Sequence, residues 1–181
     1  YSFNLPIFIS NCSNNFGPWQ FPEKLIPLVI LKAISNKPIP IYGDGENIRD
    51  WLYVDDHIDA LLLIGSKAEL GSKYCIGGEK YSKNKKEITN NEVVFSICEI
   101  LDDIYPSSSK YCTLIEYVKD RPGHDQRYAI DSSKIFNELG WEPKRNFKDS
   151  LRETINWYIK NLNWCNKIMG NSNYDGHRLG L

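Results

Sequence analysis

Leu5-Pro6-Ile7-Phe8-Ile9 gives the first indication of the fold class of this 181-residue chain. It is followed directly by Ser10-Asn11-Cys12-Ser13-Asn14-Asn15. A short apolar run that ends in polar, turn-forming residues is typical of a buried strand of a parallel sheet. Ligands of α/β proteins bind in the loops at the carboxyl ends of such strands. Side-chain amides can bond a carboxamide or a phosphate without adding charge. The asparagine-rich loop is therefore a candidate ligand-binding segment, with a purely structural turn as the alternative.

Downstream of this stretch, apolar residues recur at helical spacing in some segments and are extended or alternating in others. Helices are predicted at 23–35, 58–64, 92–104, 132–140 and 147–162. Strands are predicted at 40–42, 48–54, 74–76 and 113–118. The turn Gly43-Asp44-Gly45 is predicted to join the first two strands into a hairpin. The mixture indicates an α/β or α+β fold.

Polar residues at the starts of these helices are predicted to act as N-caps. Asp55 or Asp56 is the expected cap of the helix at 58–64, Asn90 that of the helix at 92–104, and Asp131 or Ser132 that of the next one. Gly140 is expected to end that helix, as glycine commonly does.

Composition excludes several classes of function. The net charge is −1, with 22 basic and 23 acidic residues, whereas a nucleic-acid or anionic-membrane surface needs a basic excess. No apolar run is long enough to span a membrane. The histidines are isolated, so no metal site is predicted. The 5 cysteines contain no Cys-x-x-Cys pair, which favours reduced thiols in a cytoplasmic protein. Because the chain begins at Tyr1 and its one methionine is Met169, we expect it to be a piece of a longer protein.

Two motifs of dinucleotide enzymes are missing or uninformative. Gly43-Asp44-Gly45 is followed by Ile48 where a glycine-rich phosphate loop needs its third glycine, so this segment is predicted to be only a turn. Tyr81 and Lys85 have the Tyr-x-x-x-Lys spacing of a proton relay. They lie in a polar loop without helical periodicity, however, so this match is attributed to chance.

Three further side chains are candidates for binding. Arginine is scarce beside lysine here, and Arg49 and Arg121 follow or enter turns, where a planar guanidinium could bind a diphosphate with two parallel hydrogen bonds. For each of them a surface ion pair is the alternative. Tyr42, at the end of a strand, offers an aromatic face for a base, with packing in the core as the alternative.

In order along the chain, five stretches resemble the dTDP-glucose 4,6-dehydratases, a family of extended short-chain dehydrogenases/reductases. They are NCSNNFGP (11–18), FPEKLIP (21–27), PIYG (40–43), RDWLYVDDH (49–57) and DRPGHDQRY (120–128). The resemblance runs from Tyr1 to about Trp164. It implies an α/β fold that combines the end of a Rossmann-type parallel sheet (1–17) with a smaller mixed α/β substrate-binding domain (18–181). Residues 48–66 are expected to return to the Rossmann domain.

The resemblance also implies an activity. Members of this family convert dTDP-glucose to dTDP-4-keto-6-deoxyglucose with a bound NAD, which accepts hydride from C4 of the sugar and returns it to C6. Their catalytic Tyr-Lys pair, their acid-base residues and their glycine-rich loop precede the strand with which this chain begins. No catalytic residue is therefore assigned, and the 181 residues alone are expected to be inactive. The parent is expected to be a cytoplasmic homodimer.

Position by position, the resemblance assigns seven residues to the dTDP-sugar and two to the nicotinamide end of NAD. The substrate-binding residues are Asn14, Lys24, Leu25, Tyr42, Arg49, Asn90 and Arg121, and the cofactor-binding residues are Cys12 and Asn15. Two departures are that Cys75 stands where members often have asparagine, and that the loop 79–89 is several residues longer, which puts Asn90 in doubt. The alternatives are another nucleotide-sugar epimerase, dehydratase or decarboxylase, or a non-catalytic nucleotide-sugar-binding protein.

Overall fold

The computed structural model describes residues 5–78 and 87–171. Strands and helices alternate through both ranges, as the sequence predicts. The strands are β1 Ile9–Cys12, β2 Asn14–Phe16, β3 Ile39–Tyr42, β4 Ile48–Arg49, β5 Trp51–Tyr53, β6 Lys73–Ile76, β7 Ile88–Thr89, β8 Ile115–Val118 and β9 Arg127–Tyr128. The helices are α1 Leu25–Ile34, α2 Val54–Lys67, α3 Asn90–Ile104, α4 Ser133–Leu139, α5 Phe147–Lys160 and α6 Leu162–Asn171. Residues 79–86 of the predicted loop 79–89, which include Tyr81 and Lys85, lie outside the described residues.

Parallel pairs of strands dominate the described sheets. β1 pairs with β6, β2 with β5 and β3 with β8, all in parallel. β4 lies between β7, to which it is antiparallel, and β9, to which it is parallel. Since each parallel pair needs a crossover, the helices come between the strands along the chain, which is the arrangement of an α/β fold.

The predicted hairpin between 40–42 and 48–54 is wrong. β3 pairs in parallel with β8 and not with the strand that follows Gly45. The segment 48–54 divides into β4 and β5, which pair in different sheets on either side of Asp50. Gly43-Asp44-Gly45 does form the predicted turn, with φ angles of 64° and 74° at the two glycines. Besides the local bond from the Gly45 amide to the Tyr42 carbonyl, its backbone hydrogen bonds link it to β8 and α3.

The first strand is displaced from its predicted position. Residues 5–8 are not in a strand, and β1 begins at Ile9. Leu5, Ile7 and Ile9 are 67%, 54% and 41% exposed, so the expectation of a buried strand at 5–9 is also wrong in this structure. The physical reason is that β1 has a neighbour on one side only among the described residues, namely β6.

Two of the predicted helix caps are wrong. Tyr53 is the N-cap of α2, and Asp55 and Asp56 lie inside the first turn of the helix. Asp56 is buried and its carboxylate binds Arg145 instead of a backbone amide of its own helix. α3 is capped by Thr89 and not by Asn90, because the Thr89 side chain and Glu92 form a reciprocal capping box.

The C-terminal third of the chain follows the sequence with smaller differences. Of the predicted strand 113–118, only β8 is extended, since residues 111–114 form a 3-10 turn. Ser132 is the N-cap residue of α4, where Asp131 accepts a hydrogen bond from the amide of Ser133, and Gly140 ends the helix with a left-handed φ of 69°. The predicted last helix at 147–162 corresponds to α5, which ends two residues earlier, and α6 follows it as a helix that the sequence did not predict.

The buried apolar residues form two clusters. The larger cluster lies among α1, α3, α5 and β3 and contains Ile26, Ile97 and Ile155. The smaller cluster lies among β6, α2 and α4 and contains Ala60, Ile76 and Ile135. One cavity is lined by residues at the ends of these elements and in the loops between them.

Candidate functional site

A cavity of about 410 Å³ brings together eight of the nine residues assigned from the sequence. They come from β2, α1, β3, β4, α3 and the loop after β8. The eight residues are Asn14, Asn15, Lys24, Leu25, Tyr42, Arg49, Asn90 and Arg121. The ninth, Cys12, does not line the cavity but lies directly behind Asn15, whose Nδ2 is 3.1 Å from its Sγ.

The pairing of β3 with β8 places Tyr42 beside the loop that carries Arg121. The amide of Gly43, the residue after Tyr42, donates a 2.9 Å hydrogen bond to the carbonyl of Val118 at the end of β8. Gly43 has a φ of 64°, and a Cβ at this position would be only 3.0 Å from Oδ2 of Asp120. Glycine thus permits the close approach that brings the candidate base-binding and diphosphate-binding side chains to one cavity.

Arg49 binds the backbone of the loop that carries Arg121. Its Nη2 donates a 2.7 Å hydrogen bond to the carbonyl of Asp125, and its Nη1 donates a 2.6 Å bond to the carbonyl of Ile48. The side chain of Asn47 donates to the Asp125 carbonyl as well, at 3.2 Å. Arg49 therefore both lines the cavity and fixes the backbone of the loop at 119–126.

The surroundings of Arg121 leave its guanidinium available to a ligand. The carboxylate of Asp120 accepts hydrogen bonds from the amide of Arg121, at 2.8 Å, and from Nδ1 of His124, at 2.7 Å. The hydrogen bond from His124 holds the pKa of Asp120 below its ordinary value. Nε of Arg121 is buried and has no hydrogen-bond partner within residues 5–78 and 87–171. In the described structure Asp120 thus pairs with His124 and not with the guanidinium of Arg121.

Asn15, which also lines the cavity, is held by three polar contacts. Its Nδ2 donates to Cys12 Sγ and to the carbonyl of Ser13, each at 3.1 Å. Its Oδ1 lies 2.9 Å from Nδ1 of His57, in the first turn of α2. Burial lowers the pKa of His57, and a neutral ring must then carry its proton on Nδ1 to donate to this oxygen.

Asn90 and its neighbour Asn91 have different surroundings. Asn90 lines the cavity. Asn91 faces the turn at 43–46, where its Nδ2 donates to the carbonyl of Asp44 and to the Glu46 carboxylate, at 2.9 Å and 2.7 Å. Its Oδ1 accepts from the hydroxyl of Tyr117. Asn91 therefore supports the turn beside Tyr42 and is not part of the cavity wall.

The cavity wall contains both cationic and apolar side chains. Arg49 and Arg121, with Lys24, supply positive charge, and Glu23 supplies one carboxylate, 3.9 Å from Nζ of Lys24. Apolar surface comes from Leu25, Leu28, Pro40 and the ring of Tyr42. Such a combination suits a ligand with an anionic diphosphate joined to a flat, partly apolar ring.

Sequence reasoning did not assign six lining residues. They are Gln20, Glu23, Leu28, Pro40, Trp51 and His124. Glu23, Pro40, Trp51 and His124 stand inside the stretches that carry the resemblance, which was the available signal. Gln20 stands between two of these stretches, and no pattern in the sequence points to it.

Metal-binding clusters and membrane-spanning helices were the other features that the sequence did not predict. Among residues 5–78 and 87–171, no three His, Cys, Asp or Glu side chains are grouped closely enough to hold a metal ion. Within the same ranges, no helix has the length and apolarity needed to cross a membrane.

Comparison with known proteins identifies the family. The family model of GDP-mannose 4,6 dehydratase matches residues 1–154. The chain belongs to this family. A probable dTDP-glucose 4,6-dehydratase of Sinorhizobium fredii is 52% identical over 180 residues, which are 99% of this chain and 49% of the relative. The chain thus spans about half the length of the curated relatives that it matches.

Solved structures of the family have the same fold. The crystal structure of dTDP-glucose 4,6-dehydratase from Bacillus anthracis, in complex with NAD, is 44% identical, with a TM-score of 0.79 over 92% of this chain and 49% of that one. DesIV, a dTDP-glucose 4,6-dehydratase from Streptomyces venezuelae, also solved with NAD, is 36% identical, with a TM-score of 0.81 over 92% and 48%. The predicted fold class, α/β with part of a Rossmann-type parallel sheet, is confirmed.

Proposed function

We propose that the chain is the C-terminal, substrate-binding part of a dTDP-glucose 4,6-dehydratase that acts on dTDP-glucose with a bound NAD. The observation that carries the proposal is the convergence of eight assigned residues, distant in sequence, on a single cavity. Relatives of that name, which match 98% or 99% of the chain at 45% to 52% identity, support the choice of substrate.

The side chains of the cavity suit the parts of a dTDP-sugar. Arg121 and Arg49 are the cations for the diphosphate, with the amides of Asn14 and Asn90 as neutral donors beside them. Tyr42 offers its ring to thymine. Lys24 and Leu25, at the start of α1, contact the nucleotide through both main chain and side chain.

Asn15 and Cys12 are proposed to contact the nicotinamide end of NAD, the group that accepts and returns the hydride. The contact of Asn15 with His57 fits this role because it holds the Asn15 amide in place in β2, just beyond the carboxyl end of β1. The tyrosine, lysine and carboxylate groups of the acid-base steps are proposed to belong to the half of the relatives' length that this chain does not cover. The chain alone is therefore proposed to bind the nucleotide-sugar without turning it over.

The smaller apolar cluster supports a division between domains in part. We propose that residues 1–17 and 48–66 belong to the Rossmann domain and most of 18–181 to the substrate domain. Phe8, with Cys12 of β1 and Ala60 and Ile64 of α2, packs in the smaller cluster, whereas Phe16 and Tyr53 pack in the larger one. β6 and α4 contribute Ile76 and Ile135 to the smaller cluster, so the proposal extends the Rossmann part to these two elements. A homodimeric parent and a cytoplasmic location remain predictions.

A second candidate follows from the name of the family model, which is GDP-mannose 4,6 dehydratase. In that case the same cavity would hold guanine in place of thymine. The cavity would offer the same Leu28, Pro40 and Tyr42 to either base. Curated relatives that are 52% and 48% identical to this chain are named dTDP-glucose 4,6-dehydratases, which favours the thymidine nucleotide.

The experiment that tests the proposal is a calorimetric titration of the 181-residue chain with dTDP, UDP and GDP. We expect dTDP to bind most tightly, UDP more weakly because it lacks the thymine methyl group and carries a 2′-hydroxyl, and GDP most weakly. Preference for GDP would support the second candidate. Absence of binding by all three nucleotides would contradict the assignment of the cavity.

A further inference from the structure

Three tryptophans form an edge-to-face cluster beside the loop that enters the cavity. The ring centroids of Trp19 and Trp157 are 4.8 Å apart, those of Trp19 and Trp164 are 5.2 Å apart, and those of Trp157 and Trp164 are 5.3 Å apart. Trp19 belongs to the loop between β2 and α1, Trp157 to α5 and Trp164 to α6. This tryptophan cluster joins the C-terminal helices to the loop at 17–24.

The backbone of Trp19 is held in a conformation that a tryptophan disfavours. Its φ is 66°, in the left-handed region, where the Cβ of an L-residue is crowded by its own backbone. The side chain is 62% exposed, so deep burial of the indole is not what holds it there. A strained backbone persists when its surroundings determine it, and the contacts with Trp157 and Trp164 are in a position to do so.

Gln20, the next residue, connects Trp19 to the cavity through its own hydrogen bonds. Its carbonyl accepts a 2.6 Å hydrogen bond from the hydroxyl of Tyr158, a fully buried residue of α5. Its Nε2 donates a 2.8 Å hydrogen bond to the carbonyl of Asn15. Gln20 and Asn15 both line the cavity. A continuous set of contacts therefore runs from α6 and α5 through Trp19 and Gln20 to the cavity wall.

We infer that the tryptophan cluster is a positioning device for the ligand site. Trp157 and Trp164 act through Trp19 to hold the loop that carries Gln20, Glu23 and Lys24 in its binding geometry. Neither Trp157, Trp164 nor Trp19 lines the cavity, so their effect on binding is indirect. The inference rests on the proposed function for the identity of the ligand, but not for the ordering of the loop.

Three variants separate anchoring from simple packing. Trp19→Gly removes the indole and leaves a residue that adopts the left-handed φ without strain, so the loop loses its anchor. Trp19→Phe keeps an aromatic ring for edge-to-face contact. Trp164→Leu keeps an apolar side chain but removes the ring from α6. Phe95→Leu is the matched control, because Phe95 is an exposed aromatic residue of α3 that does not line the cavity.

The measurements are amide hydrogen exchange of the free chain, thermal melting, and titration with dTDP. We expect Trp19→Gly and Trp164→Leu to speed exchange in residues 14–24 while exchange in α3 stays unchanged. We expect dTDP to bind about threefold to tenfold more weakly, the range for losing one aromatic contact. Trp19→Phe should recover most of the affinity, and Phe95→Leu should behave as the unaltered chain.

Each other outcome has a definite meaning. Unchanged exchange in residues 14–24, or exchange that rises equally in α3 together with a lower melting temperature, would overturn the inference. So would equal dTDP affinity in Trp164→Leu and the unaltered chain. If the unaltered chain binds no dTDP but the loop still loses protection in the variants, the positioning role stands and the proposed function fails.

Discussion

Arg145, in the segment before α5, binds Asp56 of α2 with 3.1 Å between Nη1 and Oδ1 of a carboxylate that is 2% exposed. The amide of Arg145 donates to the other carboxylate oxygen at 3.2 Å. The guanidinium also lies 5.1 Å from the centre of the Tyr53 ring. This contact joins α2, which packs in the smaller apolar cluster, to the N-terminus of α5, which packs in the larger one.

Replacing Asp56 is therefore expected to destabilise the chain strongly. Asp56→Ala leaves the amide and the guanidinium of Arg145 without their acceptor, and we expect a loss of about 2–3 kcal/mol in the free energy of unfolding. Urea denaturation measures it. Asp55→Ala is the control, since Asp55 lies 3.5 Å from the same guanidinium but is exposed, and exposed pairs contribute less than about 1 kcal/mol. Equal losses in both variants would contradict this account.

Gly78 and Gly65 should respond in opposite ways to alanine. A Cβ on Gly78 would lie 1.6 Å from the carbonyl oxygen of Trp51, which is backbone and cannot turn away. We expect Gly78→Ala to cost at least about 3 kcal/mol. Gly65 is in α2 with open space around it, so Gly65→Ala should stabilise the chain by about 0.5–1 kcal/mol. Thermal melting of both variants tests these two predictions. An unchanged melting temperature in Gly78→Ala would show that Gly78 does not lie so close to the Trp51 carbonyl.

The N-terminus of α3 separates a structural residue from a ligand-binding one. Thr89→Ala removes the capping box with Glu92 and should lower the free energy of unfolding by about 1 kcal/mol without changing dTDP affinity. Asn90→Ala should weaken dTDP binding and leave the free energy of unfolding unchanged, because Asn90 lines the cavity and is not the cap. Melting and titration of both variants are the measurements. A large loss of stability in Asn90→Ala would restore the cap that the sequence predicted.

Buried Cys98 should make the fold sensitive to alkali. Burial raises the pKa of its thiol from 9.0 to about 12. Because the unfolded chain releases this proton at lower pH than the folded chain does, its stabilising contribution is complete below pH 9 and is lost as the pH rises from 9 towards 12. Each such proton corresponds to a slope of about 1.4 kcal/mol per pH unit.

Cys98→Ala should reduce the slope of the free energy of unfolding against pH by the contribution of one proton. Urea denaturation at several values between pH 9 and pH 10 measures the slope in both chains. The tyrosines of the unfolded chain also titrate in this range, but they are the same in both chains, so the difference between the two slopes belongs to the thiol. Cys112→Ala is the control, since Cys112 is only partly buried. The same slope in Cys98→Ala and in the unaltered chain would mean that the thiol is not protected in the fold.

Local patterns in the sequence predicted most elements, and the failures share a cause. The helices α1 and α3 follow from apolar spacing alone, and Gly140 ends α4 as predicted. The pairing of β3 with β8 could not be predicted, because it joins segments separated by more than seventy residues. Asp56 was mistaken for a cap because its partner, Arg145, is 89 residues away. Non-local contacts decided each of these positions.

The site could be predicted where chemistry and resemblance coincide. Arg49, Arg121 and Tyr42 were candidates from residue type and turn context, and they do line one cavity. Gln20 was missed because its role depends on Tyr158, whose hydroxyl reaches it across 138 residues of chain. The assignment of Cys12 to the cofactor stays a prediction, and its Sγ accepts a hydrogen bond from Asn15, which lines the cavity.

The decisive test of the proposed dTDP-sugar site is the titration of dTDP into the chain with and without Arg121→Ala. A diphosphate offers paired oxygens to a guanidinium, and Arg121 has a buried Nε with no partner within the described residues. We expect Ala to weaken binding by about 2–4 kcal/mol, Lys to fall in between because it keeps the charge without the fork, and the melting temperature to stay unchanged. Unaltered dTDP affinity in Arg121→Ala, with a lowered melting temperature, would contradict the account.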